Sequence, residues 1–211
     1  MPATAHPLSA DRLEEAIDVF CDAFREYPVM RYVALGDARA PLDTDADARM
    51  GRLTRFFVTR RFVRGGPLFG VFADGALVGA AILTLPDEPA PPPELAAIER
   101  DAWRDLGDAA RRRYDTYAQA TTAFATTARH HHLNMIGVRA SHAGRGFGRP
   151  LLEAVRQLTV DDPASAGVSL TTERPANVML YEHFGYEVVG HALVTPDLET
   201  WGMFLKNPAV C

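Results

Sequence analysis

Three glycines at alternate positions, Gly144, Gly146 and Gly148, interleave with Arg145, Phe147 and Arg149 between one apolar run and the next. Glycines so spaced let successive backbone N–H groups close on an anion without side chains in the way. The helix expected to follow adds its first-turn donors and the positive end of its dipole to the same spot, and Arg145 adds a formal charge. Binding of a phosphate or pyrophosphate is the chemistry this suits; the ordinary alternative is a tight structural turn. Two nucleotide motifs do not fit. A Walker loop ends in Gly-Lys-Ser/Thr, whereas Gly148 is followed by Arg149 and Pro150, and the dinucleotide fingerprint needs its third glycine where Arg149 stands.

Two further groups of residues can do chemistry. Asn177 and Tyr181 are four apart, so one helical face presents an amide and a phenol together, with Gly185 placed to end that helix. His130, His131 and His132 invite a metal, since alternate residues of a strand share a face. A metal site wants further ligands at compatible spacing, however, and no Asp, Glu or Cys cluster supplies them. The expectation is that no metal is bound.

The glycine stretch resembles the acyl-CoA pyrophosphate loop of the GCN5-related N-acetyltransferases (GNAT), Gln/Arg-x-x-Gly-x-Gly/Ala, aligned on Ala143 to Gly148, with Ala143 in place of the usual Gln or Arg. Asn177, Tyr181, Glu182, Gly185 and Tyr186 are similar to the late signature of the same superfamily. His130 to Val138, Leu170 to Gly185 and the closing Thr200 to Lys206 resemble its puromycin N-acetyltransferase branch. The resemblance implies a GNAT fold of the α/β (α+β) class, a mixed central sheet of about seven strands flanked by helices. It implies acetyl-CoA as cosubstrate and a primary amine of a small molecule as acceptor; with no Cys in either block and no Ser-His-Asp arrangement beside them, direct attack on the thioester is expected over an acyl-enzyme. Gly144, Arg145, Gly146, Phe147, Gly148 and Arg149 would hold the pyrophosphate. The backbone of Met135, Ile136, Gly137 and Val138, on a strand that bends outward, would hold the pantetheine arm. Tyr181 would be the general acid for the leaving thiolate, and Asn177 would orient the cofactor.

One departure concerns the base. That branch often reads Leu-Glu-Thr on the strand after the pyrophosphate helix, and here the run is Leu170-Thr171-Thr172, with Glu173 two positions later. Such a shift keeps the side of a regular strand but moves the group roughly 6–7 Å along it. Glu173, His130, His132 and a chain of waters all stay open as the base, and an oxygen nucleophile stays open beside nitrogen. The alternative from another class is a non-catalytic acyl-CoA-binding or regulatory module; a third reading is an enzyme that uses ATP or NAD.

The bulk properties bound these readings. A chain of 211 residues, 47% hydrophobic and 23% charged, has ample material for a core and suits one compact α/β domain or a domain with an insertion, which the resemblance makes a single GNAT domain over 1–211. A net charge of −5 argues against nucleic acid as partner. Cys21 and Cys211 are the only cysteines and frame no disulfide network, zinc site or prenylation box. No secretory leader or membrane span is written, so a cytoplasmic location is expected. Monomer or homodimer is left open.

The elements that must position these residues read as follows. A first strand falls at Thr4–Leu8, then a helix capped by Ser9 with Leu13, Ile17, Phe20 and Phe24 on one face, stopped by Pro28. A loop from Tyr27 to Leu42 precedes a helix from Asp45 to Val63 with arginines outward. Asp74-Gly75 marks a hairpin between Leu68–Ala73 and Ala76–Leu85. Residues 86–128 read as a proline-rich connector and a helical insertion, Glu94–Leu106 and Ala109–Ala128, with Arg111 to Arg113 on a solvated face. The central strand is Leu133–Val138, with a bulge or close approach at Gly137. A helix entered through Pro150, a strand at Gly167–Thr172, a helix at Asn177–Phe184 and strands at Tyr186–Val194 and Thr200–Leu205 complete the chain. The aromatics of the Tyr27–Leu42 loop read first as packing; in an enzyme, that loop and the insertion would shape the acceptor pocket.

Overall fold

The computed structural model describes residues 3–210, so Cys211 lies outside the described residues. Seven strands form one sheet in the order β1-β2-β3-β4-β5-β7-β6: β1 Ala5–Pro7, β2 Leu68–Ala73, β3 Ala76–Thr84, β4 His131–Val138, β5 Gly167–Thr172, β6 Glu187–Thr195 and β7 Leu198–Lys206. Helices α1 Leu13–Phe24, α2 Pro28–Leu35, α3 Thr44–Val63, α4 Pro93–Leu106 and α5 Asp108–Thr121 are joined by α6 Gly148–Val160 and α7 Pro175–His183. Two apolar cores form on the two faces of the sheet. Ile17, Phe20, Leu53 and Met50 pack with Leu77, Ile82 and Met135, whereas Leu151, Leu152 and Val155 of α6 pack with Val78, Leu83 and Leu133. This is the mixed α/β arrangement expected of a GNAT fold.

Beside the wedge between β4 and β5 the ladder stops. The two strands are parallel partners only at His131↔Val168 and His132↔Ser169, while β4 stays paired to β3 as far as Val138 and β5 to β7 as far as Thr172. Past His132, the edge of β4 that faces β5 therefore has no strand beside it, and buried backbone groups left this way need other partners. The irregularity in β4 lies at Asn134, where Ile82 pairs with Met135 and Leu83 with Leu133, and not at Gly137. Gly137 answers to the other reading, close approach: a Cβ there would stand 2.6 Å from Ala23 Cβ, so α1 crosses β4 at this residue.

Several local expectations change. The Tyr27–Leu42 segment contains α2, because Pro28 opens a helix at its first position, where the missing N–H is harmless, and Gly36 closes it at φ +94°. Ser9 caps no backbone; its hydroxyl bonds the Asp11 side chain and a short 3-10 turn intervenes before α1. The last helix of the insertion ends at Thr121, with a 3-10 turn at Thr122–Phe124. Phe124 there fits against Gly202, whose added Cβ would lie 2.5 Å from Phe124 Cβ, which seats the end of the insertion on β7.

The arginines of α3 and α5 are not all solvated. Arg113 donates from Nε and Nη2 to the Val33 carbonyl at 3.0 and 2.8 Å and from Nη2 to that of Ala34 at 3.3 Å. Arg49 donates to Ala34 at 3.2 Å and to Leu106 at 2.8 Å. Both guanidinium groups thus stand where α2 has unsatisfied carbonyls and the negative end of its dipole, tying α2 to α3, α4 and α5. Arg113→Ala is expected to cost about 1.5–3 kcal/mol, the range for hydrogen bonds from a charged donor. That corresponds to a fall of about 2–4 °C per kcal/mol for a chain of this size, so an unchanged melting temperature would show that these bonds carry no stability.

Candidate active site

Glu173, the first residue past β5, is the centre of the site. Its side chain is buried at 6% exposure on the face where α1 to α5 pack, and Oε1 accepts from Tyr117 Oη at 3.0 Å and from Thr200 Oγ1 at 2.8 Å. The Tyr117 hydroxyl also lies 2.8 Å from Thr171 Oγ1. Since Tyr117 gives its one proton to Glu173, Thr171 donates to Tyr117. The two-residue shift of the carboxylate is thereby bridged: one phenol touches both Thr171 and Glu173. Burial pushes the Glu173 carboxyl up to about 7, against the lowering influence of hydrogen bonds from Thr200, Tyr117 and Tyr27.

Tyr27, at the entry to α2, places its hydroxyl 3.0 Å from Thr172 Oγ1 and accepts from the Glu173 backbone N–H at 3.2 Å. Arg174 steadies it, lying 5.1 Å over its ring while donating to the Glu26 carbonyl. Asn177 Nδ2 donates to the same Thr172 oxygen at 3.2 Å. One turn further along α7, Tyr181 is 7% exposed. Burial, with the Glu173 charge beside it, holds the Tyr181 phenol far above its ordinary value, so it keeps its proton at neutral pH. Gly185, at φ +87°, ends this helix as its place in the sequence predicts.

Glu173, Asn177 and Tyr181 line one cavity of about 1150 Å³ together with Met135 and Ile136 of β4. Of the residues expected to hold a cofactor, Met135, Ile136 and Asn177 therefore meet Tyr181 in one space. Gly137 and Val138 continue β4 beyond it, and the glycine loop lies outside the lining. Gly144 and Gly146 adopt φ +74° and +85°, and added Cβ atoms at Gly144, Gly146 and Gly148 would meet nothing within 4 Å, so the loop presents an open backbone at the start of α6. Arg145 is exposed. Phe147 packs against His142 with ring centroids 5.7 Å apart, and Arg149 lies 5.1 Å over Phe184.

The histidines separate by face. His131 points to the α6 side, its Nδ1 3.0 Å from Ser165 Oγ. His130 and His132 line the cavity, where His132 Nδ1 lies 2.8 Å from Ser169 Oγ. Burial, reinforced by the Arg61 and His130 charges, brings His132 down to about 4, which leaves it neutral and a weak base. Among the described residues no three His, Cys, Asp or Glu side chains are placed to hold a metal. Sequence reading missed Tyr117 and Thr200. Tyr114, Tyr117 and Thr121 lie on one face of α5 and all line the cavity, a helical spacing that could have flagged Tyr117; Thr200 carried no signal.

Residues 109–206 match the family model described as an acetyltransferase (GNAT) domain. Solved structures share the fold over nearly the whole chain. One, described as histone acetyltransferase HPA2 and related acetyltransferase from Corynebacterium glutamicum, covers 99% of this chain and 97% of its own at 19% identity, with a TM-score of 0.68. The polyamine N-acetyltransferase of Drosophila melanogaster, which catalyses the formation of N-acetylagmatine, covers 96% and 98% at 16% identity, TM-score 0.61. The paia N-acetyltransferase of Thermoplasma acidophilum, in complex with coenzyme A, covers 98% and 99% at 14% identity, TM-score 0.55. A comparison with curated proteins gives no match. The later part of the chain thus matches the GNAT acetyltransferase domain, and the chain as a whole shares its fold with solved acetyltransferases. The matches support the superfamily and not specifically the puromycin branch.

Removal of the Tyr117 hydroxyl takes away a hydrogen bond that favours the ionised carboxylate. Tyr117→Phe should therefore raise the Glu173 pKa above its value of about 7. A carboxylate-resolved titration by infrared or carbon NMR reads this directly, and a downward shift would mean that Tyr117 does not stabilise the anion.

Proposed function

We propose that this protein is an acetyl-CoA-dependent N-acetyltransferase acting on a primary amine of a small molecule, with Glu173 as general base and Tyr181 as general acid. The observation that carries this is the pairing of those two side chains in one cavity at the β4–β5 wedge: a carboxyl whose pKa is about 7 beside a phenol that stays protonated. A base poised near neutrality and an acid far above it are the two proton carriers that amine acylation needs.

The residues fit the cosubstrate. The open glycine backbone of Gly144 to Gly148 and the first turn of α6 suit a pyrophosphate, and the β5-facing edge of β4 at Met135 to Val138 suits an amide-bearing arm added alongside it. Acetyl-CoA supplies a thioester whose carbonyl carbon exchanges its C–S bond for a C–N bond to the amine. The protein's part is to align the reactants and move two protons. Glu173 takes the amine's proton, with Tyr117 and Thr200 holding Oε1, and Tyr181 gives its proton to the departing sulfur. His132 is too weak a base for the first task. Cys21 lies on α1, away from the cavity lining, its thiol pushed up by burial, which supports direct attack over an acyl-enzyme.

At Gly146 an L side chain is strained at φ +85°, and aspartate would also bring negative charge to the cradle. Gly146→Asp should weaken CoA binding by about 10-fold or more, some 1.4 kcal/mol. Unchanged affinity by calorimetry in a folded variant would remove the loop from the cofactor site.

Binding and turnover should separate at the proton carriers. Tyr181→Phe keeps the ring and should keep CoA affinity while lowering kcat by about 10²–10⁴-fold. In the parent protein the rate should rise with pH through about 7, because only the ionised carboxylate accepts the amine's proton. That inflection should be missing from the residual activity of Glu173→Gln. Full activity in both variants would sink the assignment; CoA binding without turnover in any form would leave a binding module.

A further inference from the structure

We infer that the acceptor is a monoamine on an aromatic or otherwise apolar body, and that diamines and polyamines are excluded. This deepens the acetyltransferase reading and rests on it for the place where the amine docks. Beyond Glu173 and Tyr117 the cavity wall is built by Met30 and Val33 of α2, Phe57 of α3 and Tyr114 of α5, with Phe24 from α1. Phe57 and Tyr114 have ring centroids 5.3 Å apart, and Trp103 backs Tyr114 at 5.4 Å, so the wall is a braced aromatic surface and not a set of loose side chains. Such a surface takes up a ring or a branched apolar group.

The charges point the same way. Among the described residues lining the cavity, Glu173 is the single carboxylate, whereas Arg60, Arg61 and Lys206 are cationic. Their partners Glu99, Glu88 and Glu187, at 2.6, 2.7 and 2.9 Å, are already engaged and lie outside the lining. One ammonium can be matched by Glu173. A second, carried a few methylenes away, would lose its water against aromatic rings and guanidinium groups with no carboxylate to receive it, a desolvation that binding does not recover.

The test offers 2-phenylethylamine and benzylamine against putrescine and spermidine to the protein saturated with acetyl-CoA, and with CoA for binding alone. Two readouts are taken, thiol release and the amine-dependent shift in melting temperature. The aromatic monoamines should bind and turn over with kcat/KM at least about 10²-fold above the polyamines, the discrimination expected when a buried charge is left unpaired. Thr121→Glu, which adds a carboxylate at a half-buried cavity position on α5, should move the ratio toward putrescine by at least about tenfold. Phe57→Leu should raise KM for the aromatic amines with little change in kcat. Aromatic binding without thiol release would uphold the selectivity and sink the reaction. Polyamines binding or reacting as well as the aromatic amines would overturn the inference while leaving the reaction standing, and so would the absence of binding by either class.

Discussion

The parting of β4 from β5 is the constraint on which the rest of the site depends. A parallel pair that shares two register positions and then diverges leaves a row of backbone donors and acceptors without strand partners, and a buried polar backbone is costly. The wedge is stable because what surrounds it holds its shape. The strands stay paired on their outer sides, Gly137 lets α1 cross β4 closely, and α7 closes over the far end with Tyr181 and Asn177 facing in.

Into that wedge the fold places one carboxyl that burial alone would make hard to ionise. Three hydroxyl-bearing residues from three distant parts of the chain, Tyr27, Tyr117 and Thr200, oppose that penalty, so the group sits near neutrality and not beyond the physiological range. The same charge raises the Tyr181 phenol further. One burial thus acts on two kinds of group: it makes the carboxyl a better proton acceptor and the phenol a poorer proton loser.

The helical insertion does more than cover the sheet. It brings Tyr117 to Glu173 and Tyr114 to the cavity wall, and Arg113 reaches from it to hold the end of α2, at whose other end the N-cap residue Tyr27 projects into the site. An exposed arginine run and an arginine that caps a neighbouring helix look alike in sequence, because helical periodicity says which face a residue is on and not what lies opposite. The same limit hides α2: Pro28 reads as a stop, although proline opens helices as readily as it ends them.

What the sequence by itself determined was everything carried by local spacing. The Asp74-Gly75 hairpin, the run from β4 through the glycine loop to α6, the Asn177 and Tyr181 face and the Gly185 stop all sit where short-range patterns put them, because turns, caps and helical faces are decided within a few residues. The surroundings of the titratable groups were not legible. Spacing leaves Glu173, His130 and His132 level, and a shift of two along a strand counts against the carboxylate. Only tertiary structure sets Glu173 apart, through hydroxyls contributed from Tyr27, Tyr117 and Thr200, residues 146, 56 and 27 positions away in the chain. Proton affinity is a property of surroundings, and those surroundings exist only once the chain has folded.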